Sequence, residues 1–452
     1  MSAIDPAAHI HHDRHVIGYA SGNFGKAIIL GSIDITLLFL LTDILGMPAR
    51  QASLLMLVVF AGDLVFDLAA GAIAVHAGRQ GIGYPRLIAL CVLPCACAFA
   101  ALYALPLLQV RAFAVIAILL LMVRCTFSLI DVPHNSLLAR VTSDSRARGR
   151  ASGYRSLFSA AASIVVATVI APSMNVAAGL ATPPRLAWLG AGAAVVFCVT
   201  LLLAAWSARA ASSGHAGNPR AAGTGLLPRP DRLFGAFAAV AIITGFALPM
   251  FGKTMLYWCT YVLHDAAFAG RLLLALAASQ FVGAALWLAL VRHHDKTRLL
   301  ALGHAIAALG ILLFGACGSH PGALLACTAL AGIGLSAVFM LPWGILADIV
   351  DFAELRHGER RETVAFAAVL VLLKASGAAA LATIGWTLAR LGYVPGAVQP
   401  PDVVLGLRWL AWGVPVLGSI LAIGILVHLD IGHARHARVR RANAWRRQRT
   451  LA

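Results

Sequence analysis

An all-α integral membrane protein, with twelve transmembrane helices in two pseudo-symmetric six-helix halves, is the fold that this sequence predicts. Three observations carry it. The chain of 452 residues is 60% hydrophobic and only 12% charged, the balance of a polytopic membrane protein and not of a soluble domain. Apolar runs of about 20 residues, long enough to cross a hydrocarbon core, recur from Tyr19 to Leu429 with short polar breaks. One longer break, rich in Gly, Ala, Pro, Ser and Arg, spans Ser207 to Arg232 and divides the runs six and six, as a flexible linker would.

The first six runs lie near Tyr19 to Leu45, Arg50 to His76, Pro85 to Leu107, Ala112 to Val141, Ala151 to Ser173 and Leu186 to Trp206. The second six lie near Leu233 to Leu263, Ala267 to Leu290, Arg298 to Gly318, Ala323 to Phe352, Thr363 to Leu391 and Val404 to Leu429. The organisation is then an N-terminal arm (1–18), a first half (19–206), a linker (207–232), a second half (233–429) and a basic tail (430–452). With the N-terminus inside, the inward segments carry roughly 24 Lys and Arg against about 6 outside, so both termini are expected in the cytosol and the protein in the inner (plasma) membrane.

The formal charge of +17 is concentrated in those inward loops and in the tail. That placement follows the positive-inside rule, so the partner it implies is the lipid bilayer and not nucleic acid. All eight cysteines lie within apolar runs and read as small packing residues, without disulfide or metal spacing. His9, His11, His12 and His15 read as part of a solvated arm and not as a metal site. Met1 to His15 is polar, and the run after it is too long for the apolar core of a cleavable signal. No HExxH, GxSxG or paired Cys/His spacing is present, which argues against a membrane-embedded enzyme and leaves no cofactor to expect.

The second run carries Asp63 and Asp67 at mid-depth. A carboxylate there costs about 2.5–3.5 kcal/mol, so it is expected to face a bundle interior or watery cavity and to hold a proton, a cation or a basic partner. Spaced i and i+4, the two acids share one helix face and can serve one ion together.

GYASGNFGK (Gly18 to Lys26), FLLTDILG (Phe39 to Gly46), the Asp63/Asp67 pair, IDVPHNSLLARVTSDSRARGR (Ile130 to Arg150) and LADIVDFAELRHGERRETVAF (Leu346 to Phe366) together resemble the glycoside-pentoside-hexuronide:cation symporter family, of melibiose-permease type. LLK (Leu372 to Lys374) and GYVPG (Gly392 to Gly396) extend the resemblance through the second half in the same order. The resemblance implies a major-facilitator fold that couples uptake of a sugar-like solute to H⁺, Na⁺ or Li⁺.

Carried over by position, the family's cation pair falls on Asp63 and Asp67, with a nearby hydroxyl at Ser128. The Asn that family members use for Na⁺ corresponds to Phe66. Loss of that hard oxygen favours H⁺ over Na⁺ as the coupling cation. On the substrate side the resemblance selects Asp131, Arg155 and Lys374. Three positions depart from it: the family's helix-one Asp is Ala27, and its two Trp positions are Asn135 and Phe339. Galactoside recognition therefore does not transfer as it stands.

The residues themselves offer replacements. Asp34 lies seven positions after Ala27, about 20° short of two full turns, and so projects from the same face deeper in the membrane. At about 1.5 Å per residue, Asp34, Asp63 and Arg124 all lie roughly 18–21 Å below the outer surface and are able to meet. Arg124 then either neutralises Asp34 or Asp63 permanently or offers its planar fork to a substrate carboxylate. With Lys253 and Lys374, three basic groups sit at membrane depth, more than a neutral sugar requires. An anionic glycoside such as a hexuronide is one expectation. A lysolipid or similar amphiphile, the cargo of some distant relatives, is the alternative.

At the inward ends, Asp144, Arg146 and Arg148 occupy the place in the first half that Asp348, Asp351, Glu354, Arg360 and Arg361 occupy in the second. Opposed charges there are expected to close an inner gate during alternating access.

Overall fold

The computed structural model describes residues 6–142, 144–170, 173, 182–212, 231–393 and 398–451. Most of the expected linker (213–230) lies outside them, as do the side chains of His9, His11 and His12. Among the described residues all regular structure is helical. The helices are α1 Pro6–Phe39, α2 Ala49–Arg79, α3 Tyr84–Ala104, α4 Phe113–Val141, α5 Ser145–Val165, α6 Pro183–Ser212 and α7 Arg232–Tyr261. They continue with α8 Ala266–Leu290, α9 Lys296–Ala316, α10 Pro321–His357, α11 Glu362–Arg390, α12 Pro401–Arg408, α13 Val414–Val427 and α14 His433–Leu451. Short π-helical turns extend α1 (Leu40–Ile44) and α5 (Val166–Ile170) and join α12 to α13 (Trp409–Gly413).

Eleven of these segments, α2 to α11 and Pro401–Val427, are long and apolar enough among the described residues to cross a membrane. The remaining expected run lies on α1. Local chemistry marks several ends. Pro85 occupies the first turn of α3, where its missing N–H is no loss. Asp231 and Asp265 cap α7 and α8 by accepting the N–H groups of Leu233 (2.9 Å) and Phe268 (3.0 Å). Gly358, at φ 74°, makes the turn out of α10 in a conformation that other residues resist.

The expected arm and tail are both helical: α1 begins at Pro6, and α14 occupies most of 430–452. Neither run is apolar, so hydrophobic periodicity alone does not announce them.

The chain forms two compact units, each built mainly from one half of the sequence. Unit one comprises Met1–Ser143, Leu157–Pro228 and His357–Ala368. Unit two comprises Asp144–Ser156, Arg229–Arg356 and Val369–Ala452. The start of α5 therefore belongs with second-half helices, and the start of α11 with first-half helices.

In unit one, glycines let α1 lie close to α6 and α4. A Cβ on Gly25 would meet Thr200 and the backbone of Phe197, and one on Gly22 would meet the ring of His134. In unit two the same device binds α8, α9 and α10. A Cβ on Gly334 of α10 would strike the backbone of Ala307 and Gly303 on α9, and one on Gly283 of α8 would strike Ile333. The Trp287 indole adds a hydrogen bond from α8 to Ile333 O at 2.8 Å. Beyond this fused stretch α10 contains Pro342, and its acidic residues follow.

Candidate functional site

The stripe on α1 formed by Asn23, Ala27 and Asp34 is left partly open, whereas Ile28, Ile29, Ile33 and Leu37 are buried. α2 presents Asp63 and Asp67, both buried. α4 presents Arg124, Ser128, Asp131 and Asn135 at steps of four, three and four, which is one face of a helix.

These faces meet within unit one. Arg124 Nη1 donates to Asp63 Oδ2 at 3.0 Å, while its Nη2 stands 3.6 Å from Asp34 Oδ1. Ser128 Oγ donates to Asp67 Oδ1 at 2.6 Å. The two acids of α2 are thus treated differently, one facing a cation and the other a hydroxyl. The expected meeting of Asp34, Asp63 and Arg124 is present, with Arg124 between the two acids.

Asp131 is held by Lys26 Nζ at 2.7 Å. Lys26 was not among the residues that sequence reasoning selected, although it is the one basic residue in the apolar part of α1 and could have been found on that ground. Asn135, at a position where the family resemblance expects Trp, is buried at 2% exposure. Asn23 donates to Ser159 Oγ at 3.2 Å. Beside it, Tyr19 stacks on His134 at a centroid distance of 4.7 Å, and the Tyr19 hydroxyl donates to His134 O at 2.7 Å.

Arg155, Lys253, Phe339 and Lys374 all belong to unit two. Arg155 is buried with its guanidinium over the Trp343 ring at 5.4 Å. Lys253 and Phe339 are exposed, and Lys374 is half-buried.

A second cluster, wholly in unit two, gathers part of the expected gate. Arg148 Nη1 lies 3.1 Å from Asp348 Oδ1 and 2.7 Å from Asp351 Oδ2, and donates to Ala347 O at 2.9 Å. Lys296 Nζ reaches Asp348 Oδ2 at 2.6 Å and also donates to the carbonyls of Ser145 (2.8 Å) and Gly344 (3.2 Å). His436 Nε2 of α14 lies 2.9 Å from Asp351 Oδ2, and Asn443 donates to Asp351 O at 2.9 Å. Lys296, His436 and Asn443 escaped sequence reasoning because they lie in runs that read as solvated loop and tail.

The other expected gate residues are dispersed. Asp144 accepts the Ala147 N–H at 2.8 Å and so caps α5. Burial pushes its carboxyl up, but that N–H with Arg150 and Arg440 nearby brings it below the usual carboxylate range. Arg146 is exposed and Glu354 half-buried. Arg360 pairs with Glu362 at 3.3 Å in unit one, and Glu362 also accepts from Arg140 Nε at 2.6 Å. Arg361 pairs with Glu359, two residues away, at 2.6 Å.

Three kinds of likeness bear on this arrangement. The model of a family described as "MFS/sugar transport protein" matches residues 18–433. A Salmonella typhimurium protein proposed to be a 2,3-dihydroxypropane-1-sulfonate exporter is 24% identical over 421 residues, 90% of each chain. A proposed sulfoquinovose importer from the same organism is 24% identical over 425 residues, covering 90% of this chain and 88% of the relative. The Escherichia coli inner membrane symporter YicJ is 23% identical over 382 residues, 83% of this chain and 82% of the relative. Among solved structures, the major facilitator FucP in its outward conformation aligns at a TM-score of 0.61 with 16% identity, over 91% of this chain and 99% of that one. The proton:xylose symporter XylE aligns at 0.62 with 11% identity, over 91% and 95%. These structures share the helical architecture, and the family model spans both six-helix halves. The chain belongs to the MFS/sugar transport protein family.

Proposed function

We propose that the protein is a proton-coupled symporter for a polyhydroxylated organic anion, of sugar or sugar-acid type, working by alternating access in the inner membrane with both termini cytosolic. The observation that carries this reading is Arg124 set against Asp63 and Asp34, beside Asp67. It joins a group that takes up protons to a group that takes up anions in one cluster at membrane depth. The relatives named for sulfoquinovose and dihydroxypropane sulfonate, both anionic, support the same class of solute.

The coupling cation is H⁺ in this reading. Na⁺ needs several oxygen ligands, yet Phe66 supplies none and Asp63 already faces a guanidinium. A proton needs only a carboxylate oxygen. Asp63 and Asp67 are the proposed protonation sites, and protonation lowers the cost of carrying them through an occluded state. Asp34, Arg124, Asp131 and Asn135 are proposed to line the substrate site in unit one; Arg155, Lys253, Phe339 and Lys374 are the proposed lining residues of unit two. The Arg148–Lys296–Asp348–Asp351 network is proposed as the gating element, because parting it would release the start of α5 from second-half helices.

Counterflow in proteoliposomes tests the reading, with glucose, glucuronate, sulfoquinovose and a lysolipid as solutes and with internal pH and Na⁺ dependence recorded. Uptake of an anionic sugar with proton entry, independent of Na⁺, is the expected result, with proton-driven accumulation lost in Asp63→Asn while exchange persists. Na⁺-driven uptake, or transport of the lysolipid alone, refutes it.

A further inference from the structure

The guanidinium of Arg124 is only partly used. Nη1 donates to Asp63, Nη2 stands 3.6 Å from Asp34 Oδ1, beyond hydrogen-bond range, and Nε is buried with no hydrogen-bond partner. Nε and Nη2 form the side fork of the group, whose two parallel N–H bonds match two oxygens of a carboxylate or a sulfonate. A buried donor left unmade is costly, so a half-made fork beside an exposed acid is an arrangement that something else is expected to complete.

Asp34 has the charge to fill that fork but stands off it, with a side chain 67% exposed. Exposed ion pairs of this kind contribute little and are easily exchanged. The other charged groups nearby are already engaged: Asp67 accepts from Ser128, and Asp131 faces Lys26. Asp63 is the carboxylate that touches the guanidinium directly.

Resting on the reading above that this is an anion:proton symporter, we propose that the Nε–Nη2 fork of Arg124 seats the anionic head of the substrate, a sulfonate or carboxylate monoanion, in place of Asp34. Asp34 is a built-in competitor, and Asp63 is the coupled proton site. The charges balance. Unloaded, Arg124 with ionised Asp63 and Asp34 carries a net −1. Loaded, the anion adds one negative charge and the proton on Asp63 removes one, so the sum is unchanged. A proton on Asp63 frees Arg124 for the anion, and the anion in turn favours the proton by the same factor. Transport through this site is electroneutral, one proton per monoanion.

The test uses the full chain in lipid nanodiscs for binding and in proteoliposomes for uptake, with sulfoquinovose, glucuronate and glucose as probes at pH 6 and pH 8. Wild type is expected to bind an anionic probe more tightly at pH 6, and uptake is expected to leave a potential-sensitive dye unchanged. The two anions separate sulfonate from carboxylate preference. Asp34→Asn removes the competitor and tightens anion binding by up to about fivefold. Arg124→Lys keeps the charge but not the fork, and weakens anion binding about tenfold or more. If wild type binds neither anion, the proposed function falls and this inference with it. If wild type binds anions but Asp34→Asn weakens them, Arg124→Lys leaves them unchanged, or uptake is electrogenic, this inference alone is overturned. Asp34 is exposed and its variant tolerable, so the outcome does not hang on the folding of Arg124 variants.

Discussion

The two charge clusters of this protein are built from the same side chains to different specifications. In unit two, Asp348 receives Arg148, Lys296 and the Ser145 hydroxyl, and Asp351 receives Arg148 and His436. The side chains of Asp348, Lys296 and Arg148 are at most 3% exposed. In unit one, Arg124 has one firm partner and one distant partner that is mostly exposed. A buried network in which each acid meets two or more donors holds geometry, since any loss leaves a charge stranded in low dielectric. A sparsely paired guanidinium beside an exposed acid has bonding capacity left for a ligand. The number of firm partners and the depth of burial, and not the presence of charge, separate the two clusters.

Substitutions can break that contrast. Asp348→Ala strands Arg148 and Lys296 and should cost about 3–5 kcal/mol, read as loss of thermal stability in detergent. Arg124→Gln should cost less, about 1–3 kcal/mol, because the Gln amide can still donate a hydrogen bond towards Asp63. Equal losses in the two variants would dissolve the distinction. His436→Ala should cost about 1 kcal/mol by removing its contacts to Asp351 and Arg148, and no change would mean that Asn443 and not His436 ties α14 to the cluster. Asp144→Asn should cost only a few tenths of a kcal/mol at pH 7, because Asn still caps the helix. The Asp144 carboxyl sits below its ordinary value of 3.8, so its charge stabilises the fold above that pH. The gap between wild type and variant should therefore close as the pH falls through the lowered value.

Much of unit one was legible before any coordinates. Runs of apolar residues give the helices, and 1.5 Å per residue gives a depth that brought Asp34, Asp63 and Arg124 to one level. Periodicity gives a face but not a partner helix, so the Lys26–Asp131 pair and the Tyr19–His134 stack stayed out of view. In unit two, Arg148, Asp348 and Asp351 could be chosen from matched places in the halves. Lys296 and His436 could not, because a lysine at the start of a helix and a histidine in a run of arginines look solvated until a buried acid is found beside them.

The construction of α10 divides it mechanically. From about Ile333 to Ala337 it is pressed against α8 and α9 with backbone on backbone, where Gly334 leaves no room for sliding. Pro342 then takes one rung out of the helical ladder, and only after it come Asp348 and Asp351. One end of α10 is held by close backbone packing and the other, which carries the acids, by side-chain charges such as Lys296. If Arg148 parts from those acids, Pro342 is the point at which α10 can bend while the clamped end stays still.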